Sequence, residues 1–77
     1  MTMTALKTPK DVGKIICSRR KELGLKQQDA AGLLGVGVRF LSELERGKDT
    51  IALGKALMVL DGLGIKLSAE IARGKGD

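Results

Sequence analysis

From Val12 onward the apolar residues fall at helical intervals. Val12, Ile15, Ile16 and Leu23, with Cys17 beside them, mark one side of a first segment, while Arg19, Arg20, Lys21 and Glu22 occupy the others. Thr8 and Pro9 open this segment as cap and first helical residue, where the missing proline N–H costs nothing, and Gly24 ends it. The pattern predicts a helix over 10–23. Leu25 is an apolar plug before a second helix, 27–34, whose buried set is Ala30, Ala31, Leu33 and Leu34. The two alanines allow a close helix crossing. Gly35 stops this helix, Val36 fills the angle, and Gly37 stands at the N-cap of a third helix, 38–46, with Leu41 and Leu44 inward and Gly47 as its stop. After the polar Lys48-Asp49-Thr50 a fourth helix is predicted over 53–61. Leu53, Ala56, Leu57 and Leu60 lie on one face, Leu63 seals the end, and Gly54 and Gly62 weaken it slightly.

The period then changes. Ile65, Leu67, Ala69 and Ile71 alternate with Lys66, Ser68 and Glu70, the signature of a half-buried strand. Only Thr2–Leu6 offers another, weak, strand-like run. A lone strand leaves its backbone groups unpaired, and the same strand of a second copy would satisfy them in an isologous homodimer. The alternative is that 64–71 continues the end of the fourth helix as coil. The chain thus divides into a flexible arm (1–8), a helical body (9–63), a dimerisation strand (64–72) and a polar, glycine-rich, disordered tail (73–77).

Composition narrows the function. A chain of 77 residues makes one small domain that buries only about 60% of its unfolded surface, so core from a second subunit would help it. It has no His and a single Cys. That leaves no metal-ligand set, no internal disulfide and no base to activate Cys17, which reads as a small buried apolar residue. There is no phosphate-cradling glycine loop either. An enzyme is not expected, and no cofactor. Lys and Arg number 14 against 9 Asp and Glu, a net charge of +5, which favours a polyanionic partner. The one aromatic residue, Phe40, is a poor stacking platform for single strands, so duplex DNA fits better. No apolar run reaches membrane-spanning length and the N-terminus lacks the apolar core of a signal peptide, so a cytoplasmic protein without membrane contact is expected.

These readings converge on Lys26–Gly47, two short helices around a tight glycine-containing turn. In a helix-turn-helix the N-terminal part of the second helix faces base edges while the first crosses the phosphate backbone. Opposite Leu41 and Leu44, the third helix offers Val38, Arg39, Ser42 and Glu43 as base-reading candidates. An arginine in a first helical turn opposes the helix dipole, and a guanine, whose O6 and N7 accept both ends of a guanidinium, accounts for it better. Glu43 would accept from a cytosine amine or orient Arg39 one turn away, and Val38 would touch a thymine methyl. A merely solvated helix face is the alternative. Gln27 and Gln28 open the second helix, where backbone N–H groups and an amide side chain can clamp a phosphate. Lys26, Gly37, Arg46 and Lys48 are the remaining backbone-contact candidates.

The segments RKELGLKQQDAAGLLGV, FLSELERG and ALMVLDGLGI occur in the order and spacing of a known family. Over residues 10–65 the chain resembles the XRE-type helix-turn-helix of lambdoid phage repressors. The resemblance implies an all-α, lambda-repressor-like bundle of four to five helices, operator binding as a dimer, and a structural salt bridge between Arg20 and Glu45. Two departures concern Lys26 and Gly37, which stand where the family usually has Ser or Thr. Phe40 holds a position that is often small and polar, and would pack on the second helix or against a sugar. The ending TIALGKALMVLDGLGIKLSAEI is similar to HipB-like antitoxins, in which a C-terminal strand pairs across the dimer. That similarity implies repression of the protein's own operon and a HipA-like serine/threonine kinase toxin as partner. The competing readings are a protein-interaction module that reads no DNA, and a free-standing phage-type repressor without a toxin.

Overall fold

The computed structural model describes residues 3–74. Its elements are α1 (Pro9–Glu22), α2 (Gln27–Leu34), α3 (Val38–Glu45) and α4 (Leu53–Gly62). The α1 start is built as Thr8 and Pro9 suggest, with one addition. The Thr8 hydroxyl accepts from the Asp11 backbone N–H at 3.1 Å, while the Asp11 carboxylate accepts from the backbone N–H groups of Thr8 at 3.1 Å and Lys7 at 2.9 Å. This reciprocal box satisfies the open end of the helix. The bond from Lys7, then those from Thr8, hold the Asp11 carboxyl below its ordinary pKa.

All four helices end alike. A glycine takes a left-handed φ of 72–83° at positions 24, 35, 47 and 64. The next backbone N–H then reaches back to close the helix, from Leu25 to the Arg20 carbonyl, Val36 to Ala31, Lys48 to Glu43 and Ile65 to Leu60, at 2.9–3.1 Å. Each stop but the third is followed by an apolar residue (Leu25, Val36, Ile65) that packs against the core. The third is also the tightest. A Cβ on Gly47 would stand 2.8 Å from the Lys10 Cα, so glycine is required there for space as well as for φ.

The core is Ile16, Ala30, Ala31, Leu41, Leu44, Ala56, Val59, Leu60 and Leu63. Its closest helix contact is between α1 and α3, at Gly13: a Cβ there would meet the Leu44 carbonyl oxygen at 2.7 Å and the Glu45 carbonyl oxygen closer still. Ala30 and Ala31 are buried as expected of a close crossing. Four apolar residues lie differently from what the periodicity predicts. Leu33 is 76% exposed because α2 turns Ala30, Ala31 and Leu34 inward instead. Leu23 ends α1 as its C-cap and is half exposed. On α4, Leu53 and Leu57 face outward, and the inner stripe is Ala56, Val59, Leu60 and Leu63. That helix is apolar on both sides, so periodicity alone does not fix its rotation. Arg19 ties the end of α4 back to α1, its Nε donating to the Leu63 carbonyl at 2.9 Å.

The C-terminal segment differs from the strand reading. Residues 65–74 carry neither helix nor strand, Ile65 seats on the core, and Leu67 and Ile71 are exposed. The physical reason is that the four helices offer no sheet edge for this segment to join. The arm, too, is shorter than 1–8 as a free unit, since Lys7 and Thr8 belong to the α1 cap. Residues 1–2 and 75–77, parts of the proposed arm and tail, lie outside the described residues.

Candidate nucleic-acid interface

The segment from α2 through Gly35-Val36-Gly37 to α3 forms a helix-turn-helix anchored by α3. Leu41 and Leu44 lock the inner side of α3 into the core, while Val38 is about half exposed and the Arg39 side chain is 90% exposed. Gly37 caps α3 with no side-chain bond, only its carbonyl accepting from Leu41 N–H at 3.1 Å. Ser42 is half-buried. Glu43 is more enclosed than an outward base reader: its side chain is 19% exposed, and one carboxylate oxygen lies 3.6 Å from Arg39 Nε and 3.3 Å from Lys48 Nζ.

The rigid side of the motif is a buried polar network. Arg20 grips Glu45 with two parallel bonds, Nε to Oε2 at 2.7 Å and Nη2 to Oε1 at 2.9 Å, and its Nη1 donates to the Leu25 carbonyl at 2.7 Å. One guanidinium thereby joins α1, the α1–α2 connection and α3. The bond to Glu45 holds Arg20 above its ordinary pKa. Burial pushes the Glu45 carboxyl up, but the bonds from Arg20 and Gln27 outweigh it, and the group ends below its ordinary value. Gln27 belongs to this network, since its side-chain amide donates to Glu45 Oε1 at 3.1 Å. Its side chain therefore works inside the fold; its backbone N–H remains at the first turn of α2, where helical N–H groups lack intrahelical partners. No buried side-chain nitrogen or oxygen among the described residues lacks a partner.

Lys26, Gln28, Gly37, Arg46 and Lys48 are all exposed. Lys26 caps α2 without a side-chain bond and Arg46 is the C-cap of α3. Phe40 packs against the core with the Lys55 ammonium 5.6 Å from its ring centre, a cation–π arrangement. Its cationic neighbour thus comes from α4. Two contributions escape a linear reading: the thiol of Cys17, 3.7 Å from Arg20 Nη2, and the pairing of Lys48 with Glu43. Only the spacing of five residues across a glycine stop hints at the latter.

A family model described as helix-turn-helix matches residues 18–69. The uncharacterized HTH-type transcriptional regulator y4mF of Sinorhizobium fredii is 47% identical over 62 residues, covering 80% of this chain and 82% of that protein. Among solved structures, a HipB variant in complex with an O2 20mer superposes with a TM-score of 0.81 at 18% identity, over 94% of this chain and all of that one. A chain of a HipA–HipB–O2–O3 complex superposes with a TM-score of 0.80 at 17% identity, over 92% of this chain and all of that one. At such identities the likeness is one of fold. The chain belongs to the XRE-type helix-turn-helix family of transcriptional regulators, with a HipB-like fold.

Proposed function

We propose that this regulator is a homodimeric repressor that reads duplex DNA with α3, and that it is the antitoxin of a HipA/HipB-like operon which it autoregulates. The observation that carries the DNA reading is Arg39. Its side chain stands almost fully exposed on a helix whose opposite side is fixed in the core. In this reading Arg39, Val38 and Ser42 face base edges, with Glu43 beside them. Lys26, Gln28, Arg46 and Lys48, and the backbone N–H groups of Gln27 and Gly37, serve phosphates. The net charge of +5 supports a polyanionic partner. Leu67, Ala69 and Ile71, exposed in the single chain, supply the strand that pairs between subunits, with Ile65 anchoring it. The antitoxin part rests on the HipB-like fold and on the neighbour solved together with HipA.

Selection of bound duplexes from a random library tests the reading. It predicts enrichment of a two-fold symmetric sequence whose half-sites lie about one helical turn, roughly 34–36 Å, or more apart. It also predicts affinity falling steeply with salt, with a logarithmic slope near −0.9 per phosphate neutralised. A pool that stays random after repeated selection contradicts it. For the antitoxin, a HipA-like kinase encoded beside this chain and co-purifying with it is the expected result; a solitary gene leaves a free-standing repressor.

A further inference from the structure

Glu43 is an acidic residue on the helix assigned to DNA, and its geometry is specific. Lys48 is fixed on it twice, the backbone N–H bonding the Glu43 carbonyl at 3.1 Å and the ammonium 3.3 Å from the carboxylate. The Gly47 stop makes this possible by turning the chain back over the last turn of α3. From the other side Arg39 lies across one helical turn, its Nε 3.6 Å from the same oxygen. An arginine whose Nε edge faces a carboxylate leaves both terminal nitrogens free, and those can bridge the O6 and N7 of one guanine.

We propose that Glu43 is a specificity-determining residue that acts through Arg39 and penalises binding to the wrong sequence, rather than a direct reader of a base. The inference rests on the DNA reading above. Off the DNA, Arg39 and Lys48 together neutralise the carboxylate. When the protein docks, Lys48 transfers to a phosphate and only Arg39 remains to balance Glu43. At a guanine, Arg39 keeps that contact while its terminal nitrogens reach the base. At any other base, Arg39 gains most by swinging to a phosphate, which strands Glu43 unpaired beside a polyanion. The repulsion therefore falls on the non-specific mode, and specificity arises from a built-in cost as well as from an attractive contact.

The test uses the full-length protein, the duplex it enriches from a random library, and a random-sequence duplex, at fixed salt. Glu43→Gln is expected to tighten random-duplex binding by about 2- to 5-fold, the range of an exposed ionic interaction, and to lower the ratio of selected to random affinity by at least as much. The random-duplex salt slope should steepen, because the Glu43–phosphate repulsion that salt screens in the wild type is gone. Lys48→Met, which leaves Glu43 on Arg39, should weaken both duplexes in parallel and preserve the ratio. Two results would overturn the proposal. One is an unchanged ratio in Glu43→Gln; the other is an unchanged random affinity with preference lost at a single base pair, which would make Glu43 a direct reader. Thermal melts of both variants confirm that they fold. A wild-type protein with no sequence preference would remove the DNA reading itself, and this inference with it.

Discussion

Arg20 and Glu45 show how one charged pair can belong to the scaffold rather than to the surface it supports. Their side chains are only 10% and 5% exposed and every strong donor and acceptor between them is used. Removing one member leaves a buried charge, so Arg20→Met should cost about 3–5 kcal/mol in urea unfolding. The pair also sets an acid limit. The folded chain holds the Glu45 carboxyl below its ordinary pKa, so its contribution is complete above the unfolded value and is lost as pH falls through the folded one, that is, below about pH 4. Asp11 acts in the same direction. The raised Arg20 pKa is lost only far to the alkaline side. Urea midpoints measured from pH 7 to 3 should fall in the wild type and fall less steeply in Glu45→Gln; parallel curves would contradict this assignment. Neither residue declares its role by type. Family resemblance alone points to this pair, and the Gln27 amide that completes it reads as a phosphate ligand in the sequence, because a polar residue opening a helix looks the same there whichever way it turns.

At the scale of elements, position along the chain was legible and rotation was not. The glycine stops and the apolar plugs behind Gly24 and Gly35 delimit the helices within a residue or so. The rotation of α4 is invisible to periodicity, since Leu53, Leu57 and Met58 form an apolar stripe as good as Ala56, Val59 and Leu60. Gly13 is the sharper case. Nothing in PKDVGKIICSRRKE marks its glycine as special, and in a helix interior it costs about 1 kcal/mol relative to alanine. It is kept because α3 ends against it, two backbone carbonyls standing where a Cβ would be. Gly13→Ala, which should stabilise an isolated helix, is therefore expected to destabilise the protein by about 1–3 kcal/mol through forced separation of α1 and α3. A rise in the urea midpoint would show that the contact yields.

At the scale of the molecule, a four-helix body holds one recognition unit rigidly, while the segment after Ile65 has no strand to pair with among the described residues. The alternation of Leu67, Ala69 and Ile71 reads as a strand paired with a second copy, whereas in the single chain the segment is neither helix nor strand, since a strand needs a sheet neighbour and the four helices supply none. Deleting residues 66–77 keeps Ile65 and the stop at Gly64, so the body should fold. Sedimentation should then report a monomer that binds the selected duplex much more weakly. A truncated chain that still sediments as a dimer would rule out strand pairing as the basis of assembly.

Base reading by α3 through Arg39 is decided by the affinity of Arg39→Ala for the selected duplex and for a random one at the same salt. Loss of a bidentate guanine contact predicts a deficit of about 1–3 kcal/mol on the selected duplex, and a much smaller one on the random duplex. Equal affinities of wild type and Arg39→Ala for the selected duplex would mean that Arg39 reads no base.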